Sequence, residues 1–128
     1  MHTYRLSAAA ALLGVSDDTV RRWADAGRLP TSRDGEGRRI VAGPDLAAFA
    51  VELAGDPQGP HGTSARNRFP GIVTRVLRGD VVSQVEVQAG PHRLVSLLTS
   101  EAVDELGLSP GVPAVASVKS TAVVVELP

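Results

Sequence analysis

Two short segments carry polar groups from which a binding site can be built. Ser64-Ala65-Arg66-Asn67-Arg68-Phe69-Pro70-Gly71 leads into an extended run. Val118-Lys119-Ser120-Thr121-Ala122-Val123 lies between two others. Each sets hydroxyls beside a cation at a strand end, where backbone N–H groups are free. Several N–H groups, hydroxyls and one ammonium make a suitable cradle for a small tetrahedral anion. Lys119 stands out. Twelve of the 13 basic residues are arginine, and it is the only lysine. A codon bias toward arginine explains the twelve but not the exception. Position 119 points to a compact ammonium charge rather than a planar guanidinium.

A second set of residues is suited to DNA. Ser16 can cap a helix from Asp17 to Ala26, with Asp17 and Asp18 in its favourable first turn. Val20, Trp23 and Ala24 share one face of that helix, which leaves Thr19, Arg21 and Arg22 outward. Ser7 can cap an earlier helix through Leu13, and Gly14-Val15 makes the turn between the two. Two short helices joined in this way form a helix-turn-helix candidate. The second helix of such a unit can enter the major groove, its N-terminal residues meeting the bases. A hairpin follows around Asp34-Gly35-Glu36-Gly37. It carries Arg33, Arg38 and Arg39, which can grip phosphate as a wing. Gly43-Pro44-Asp45 opens a third helix, Leu46 to Leu53.

These groups need elements to hold them. The pattern is helical up to about residue 55 and is dominated by β-branched strands after about residue 70. Residues 55–63 contain three glycines and two prolines and read as a linker. Strands are expected at Gly71–Leu77, Val81–Ala89, Arg93–Leu98, Val112–Val118 and Val123–Leu127. Thr99 caps a short helix, Ser100 to Leu106, which Gly107 ends. The expected fold is α+β: a winged helix-turn-helix over residues 1–54, the linker, then a five-stranded OB-like β-barrel with one short helix over residues 64–128.

Composition limits the function. The net charge is −1 and aromatic residues make up 3% of the chain, so both cores must be aliphatic. Small aliphatic cores often depend on oligomerisation. Cysteine is absent, which excludes disulfides, thiol catalysis and cysteine metal sites. His2, His61 and His92 show no metal spacing, and no nucleophile motif is visible, so no enzyme is expected. Neither a secretory signal nor a membrane span is apparent, and a cytoplasmic protein is expected. Binding of single strands needs stacking platforms, and the second half has only Phe69.

Residues 4–53 resemble the MerR/excisionase-type winged helix. The resemblance rests on Tyr4-Arg5-Leu6-Ser7, Gly14-Val15-Ser16, Thr19-Val20-Arg21-Arg22-Trp23 and Gly27-Arg28-Leu29-Pro30. It implies a core role for Trp23 and a Gly27-to-Pro30 run that leads into the wing; with the helix-turn-helix reading, contact with double-stranded DNA is expected through Ser16, Thr19, Arg21 and Arg22.

The second half, about Thr63 to Leu127, is similar to a single molbindin (Mop) domain, also called TOBE. Ser64-Ala65-Arg66-Asn67, Phe69-Pro70-Gly71, Glu101 to Leu108 and Lys119-Ser120-Thr121 carry that resemblance. It implies molybdate or tungstate as ligand, no organic cofactor, and a site between subunits of a homo-oligomer. It assigns Ser64, Arg66, Lys119, Ser120 and Thr121 to the site, with Asn67 beside them. The family often has Asn-Ala-Glu in the second strand; Val82, Ser83 and Gln84 stand there instead, and Ser83 can still offer a contact. A molybdate- or tungstate-responsive transcriptional regulator is the expectation. The alternatives are a molybdate storage protein with a helical assembly domain and an excisionase-like architectural protein.

Overall fold

The structure, a computed structural model, describes residues 2–55 and 62–128. Most of the expected linker, residues 56–61, lies outside the described residues. The chain divides into two compact units, Met1–Gln58 and Gly59–Pro128.

The first unit contains β1 (Thr3–Arg5), α1 (Leu6–Leu13), α2 (Asp17–Asp25), β2 (Ser32–Arg33), β3 (Arg39–Ala42) and α3 (Gly43–Ala54). The first helix follows β1 directly, so Ser7 does not cap it. Arg5 occupies the cap position and offers no side-chain bond. Gly14, at φ 71°, ends α1 in the left-handed conformation that glycine adopts without strain. Ser16 caps α2 as expected, its hydroxyl accepting the Thr19 N–H. The hairpin β2–β3 is joined by β1, giving the antiparallel order β1-β3-β2. Its turn is folded by Asp34, whose Oδ1 accepts the N–H groups of Glu36 and Arg38, each at 2.9 Å.

Leu6, Ala9, Ala10, Val20, Leu29, Val41, Leu46 and Phe49 form the core of this unit. Trp23 packs edge-on against Phe49 with centroids 5.3 Å apart. The Arg28 guanidinium lies 5.9 Å and 5.8 Å from the two ring centroids, a cation–π arrangement that covers the aromatic pair.

The second unit contains β4 (Asn67–Leu77), β5 (Val82–Ala89), β6 (His92–Thr99), α4 (Ser100–Leu106) and β7 (Pro113–Val118). The order is β6-β5-β4-β7, antiparallel throughout. The two edge strands, β6 and β7, line one cleft, so the sheet curls until its edges face each other. Two features of β4 allow this curl. The pairing with β5 shifts register between Val73 and Arg75, and such a bulge bends a strand. At Gly71 a Cβ would collide with the Gln88 carbonyl, so only glycine lets the two backbones approach there. Val73, Val85, Val87 and Val103 form the core. Thr99 caps α4 and Gly107, at φ 64°, ends it, as the sequence implies.

The sheet has four strands rather than the expected five. Val123–Leu127 forms no strand, and its side chains are exposed. Its β-branched residues favour extension, but a strand also needs an edge to pair with, and this segment pairs with none among the described residues.

Candidate functional site

The two candidate anion segments meet at one end of the curled sheet. Asn67 opens β4 and Val118 closes β7, and the two residues are register partners. The Asn67 Nδ2 donates to the Val118 carbonyl at 3.1 Å, which pins the loop before β4 to the turn after β7. Ser64, Arg66, Lys119, Ser120 and Thr121 flank this junction, and all five are exposed. Lys119 precedes a single 3-10 turn, Ser120–Ala122. In that turn the Ala122 and Val123 N–H groups donate to the Lys119 and Ser120 carbonyls at 2.9 and 3.3 Å. The Ser120 and Thr121 N–H groups stand ahead of this ladder. Among the described residues, Lys119 forms no ion pair and the Ser64, Ser120 and Thr121 hydroxyls form no side-chain hydrogen bond. The cluster thus presents one ammonium and three hydroxyls to solvent.

Thr63 was not among the expected site residues, yet it shapes the loop. Its Oγ1 accepts the Ala65 N–H at 3.1 Å and its carbonyl accepts from Arg66 Nη1 at 3.4 Å. A threonine two residues before the N–H it binds is an ST-turn, a signal readable from residue type. Arg66 therefore braces its own loop through its guanidinium.

Ser83 is not brought to this cluster. It lies on β5, opposite the far end of β4 from Asn67, roughly 30 Å away along the strand by the rise per residue. It is also buried, with 1% of its surface exposed. The Ser100 hydroxyl donates to the Gly79 carbonyl at 2.6 Å, so the Ser83 hydroxyl donates to Ser100, 2.7 Å away. Ser83 thus fastens the start of α4 to the sheet. A second tie nearby joins Arg78 to Asp104 through two bonds of 2.6 Å. The Arg78 hydrogen bonds hold the Asp104 carboxyl below its ordinary pKa. Glu86 is buried on β5 and pairs with Arg93.

In the first unit the candidate DNA residues fall into two groups. Ser16, Thr19 and Arg22 are linked along α2, from its cap residue to its last turn. The Thr19 and Ser16 hydroxyls are 2.8 Å apart, and Arg22 Nη2 donates to the Thr19 hydroxyl at 3.2 Å. Arg21 is exposed and lies 3.8 Å from a still more exposed Asp18, a weak pair in water.

The wing arginines are occupied within the fold. Arg33 donates to the Gly37 carbonyl at 2.9 Å. Arg38 pairs with Asp34 at 3.1 Å and Glu36 at 2.6 Å. Arg39 reaches Asp25, at the end of α2, at 2.7 Å. The Asp34 pKa is lowered, first by the backbone N–H of Arg38 and further by that of Glu36 and the Arg38 side chain. No group of three or more His, Asp or Glu among the described residues could hold a metal ion. Among the described residues no helix is long and apolar enough to cross a membrane.

Comparison with known proteins assigns both units. Residues 63–125 match the TOBE domain, and residues 3–50 match a helix-turn-helix domain. Over 63 residues the chain is 43% identical to the molybdenum transport protein ModE of Herbaspirillum seropedicae, covering 48% of this chain and 23% of that protein. It is 36% identical over 63 residues to molybdenum-pterin-binding protein 2 of Clostridium pasteurianum, covering 48% of this chain and 93% of that protein. Among solved structures, MopII from Clostridium pasteurianum is 34% identical, covering 52% of this chain and 100% of that one, with a TM-score of 0.48. The chain belongs to the TOBE domain family through residues 63–125. It spans less than a quarter of the length of ModE.

Proposed function

We propose that the chain is a molybdate- or tungstate-responsive DNA-binding transcriptional regulator. The observation that carries this reading is the pairing, in one chain, of a helix-turn-helix domain with a TOBE domain. TOBE relatives are named for molybdenum transport and molybdenum-pterin binding, which supports an oxidised molybdenum species as the ligand.

The exposed cluster at the Asn67–Val118 junction supports the same chemistry. Lys119 supplies a point charge; Ser64, Ser120 and Thr121 supply hydroxyls; the loop supplies N–H groups. Together they can replace the hydration shell of a tetrahedral dianion. Ligand sites bury most of their ligand. This cluster is open on one side, which supports a site completed by a second copy. In the first unit, Ser16, Thr19, Arg21 and Arg22 are the residues we assign to double-stranded DNA. A dimer would present two such helices to half-sites about 34 Å apart. Anion binding at a subunit boundary would then bias the arrangement or assembly of the DNA-binding units.

The test is calorimetry with molybdate, tungstate and sulfate in parallel, with thermal melts alongside. An anion that binds only the folded state stabilises by about 2.7 kcal/mol at a hundred times its dissociation constant. Molybdate or tungstate should raise the melting temperature and sulfate should not. Sulfate is the stringent control, since it too is a tetrahedral dianion. Equal stabilisation by sulfate, or none by either metalate, would overturn the ligand assignment. A gel shift on the upstream region of its own operon, with and without molybdate, tests regulation. DNA binding indifferent to the anion argues for an architectural protein, and no DNA binding argues for storage.

A further inference from the structure

A site that takes a dianion out of water with one ammonium leaves a negative charge uncompensated, and that is costly. The cradle at the Asn67–Val118 junction therefore calls for a second cation. Arg66 stands beside Asn67, but its guanidinium reaches back to the Thr63 carbonyl.

The register of the sheet brings another cation to the same place. Exposure alternates along the paired stretch of β4 and β7. Asn67 and Val118 are the half-buried pair that closes the junction, and the next pair, Arg68 and Ser117, is exposed. Side chains of such partners stand together on one face, their Cβ atoms about 5 Å apart. Lys119 follows Ser117 by one step of the alternation, and its backbone is extended, φ −64° and ψ 145°. Its side chain therefore starts from the same face, about 7 Å beyond Ser117 by the rise per residue. Arg68, Ser117 and Lys119 form a short row that ends at the cradle. Among the described residues neither the Arg68 guanidinium nor the Ser117 hydroxyl forms a hydrogen bond or an ion pair.

Charge in this unit is also segregated. Asp80 lies in the connection from β4 to β5, at the other end of β4 from Arg68. Glu101 and Asp104 lie on α4, which starts at that same end, since the Ser100 N–H donates to the Val81 carbonyl at 2.8 Å. Arg66, Arg68 and Lys119 gather at the opposite end. A field arranged in this way steers a small anion toward its positive end.

We propose that Arg68 is the second cation of the oxyanion site. It draws the dianion toward the cradle and balances the charge that Lys119 leaves, and Ser117 adds a hydroxyl donor between the two. The guanidinium fork can donate two N–H groups to two oxygens of one tetrahedral anion. The role rests on the oxyanion reading above and adds to it a residue outside the two loop segments.

The experiment is calorimetry of the full chain with molybdate, comparing Arg68→Gln, Arg68→Lys and Arg75→Gln. Arg75 is an exposed arginine of the same strand, the register partner of Glu86 and roughly 23 Å from Arg68 by the rise per residue. Its substitution removes the same charge from a different place. In low salt Arg68→Gln should bind about fivefold more weakly, the size expected for one charge acting on a dianion at about 7 Å in water. Arg68→Lys and Arg75→Gln should stay within about twofold of the natural chain. Near 1 M salt, where charges are screened within about 3 Å, the Arg68→Gln deficit should fall below about twofold. Without anion, Arg68→Gln should melt with the natural chain, which separates lost charge from lost fold. Unchanged affinity of Arg68→Gln overturns the proposal, and so does an equal loss in Arg75→Gln, which would be an effect of net charge alone. A deficit that salt does not move overturns the charge-balancing role. A natural chain that binds neither molybdate nor tungstate overturns the oxyanion reading itself, and this role with it.

Discussion

The two units use their charged side chains in opposite ways. On the wing of the first unit every expected phosphate contact is spent internally: Arg33 on a carbonyl, Arg38 on two carboxylates, Arg39 on the end of α2. At the strand-end junction of the second unit, Lys119 and three hydroxyls have no such partner among the described residues. The difference teaches how to weigh a polar residue. A cation tied to a carboxylate is already solvated by the protein and must be released before it can serve a ligand. A cation left free at the junction of two pinned segments is placed for one.

The largest effect expected from this contrast is at Lys119. A hydrogen bond to a charged group contributes about 1.5–3 kcal/mol. Lys119→Ala should therefore weaken molybdate binding by about thirtyfold, close to 2 kcal/mol. Its anion-free melting temperature should not change, because among the described residues the Lys119 side chain forms no hydrogen bond or ion pair. Calorimetry with a thermal melt checks both. Retained affinity would break the comparison at its stronger end.

Ser83 provides the converse, a site residue by position that the structure uses for packing. Ser83→Ala should cost about 1.5 kcal/mol in stability, since it takes a donor from the buried Ser100 hydroxyl. Urea unfolding measures this, and anion affinity should stay the same. Lost affinity at unchanged stability would restore Ser83 to the anion site.

Smaller still is the expected difference between two arginines of the first unit. Arg22→Ala, on the exposed face of α2, should weaken DNA binding by about fivefold, and Arg38→Ala by less than about twofold. A gel shift series compares them. Equal losses would mean that the wing releases Arg38 when DNA arrives.

Much of this organisation is legible in the sequence where the signal is local. The caps Ser16, Thr99 and Gly107 are set by residue type and do their expected work. The alternation from Val81 to Gln88 locates β5. Ser83, Val85 and Val87 share one face, and that face is the buried one. What stays illegible depends on distant partners. β1 has only three residues, and it becomes a strand because Val41 and Ala42 offer it an edge. Val123–Leu127 is the reverse case, a segment with strong β-propensity that pairs with no edge among the described residues. The Arg66 and Lys119 segments could be singled out by their residue types. That they lie side by side follows only from the Asn67–Val118 pairing across 51 residues of sequence.

The smallest expected effect sets one carboxylate of each unit against the other. Asp34 and Asp104 both titrate below their ordinary value of 3.8 in the folded chain. Each therefore contributes stability that is present above the unfolded pKa and lost as pH falls through the folded one. Neither should affect the melting temperature between pH 5 and neutrality, and both should lower it in more acidic buffer. Their leading causes differ. Asp34 is held first by a backbone N–H, which salt does not displace. Asp104 is held by the exposed Arg78 guanidinium, and at about 1 M salt charges are screened within about 3 Å. High salt should therefore shrink the acid-induced shift of the barrel and spare that of the wing. Melts of Asp34→Asn and Asp104→Asn at low and high salt measure each contribution, and equal salt sensitivity of the two would overturn the distinction between backbone-held and side-chain-held carboxylates.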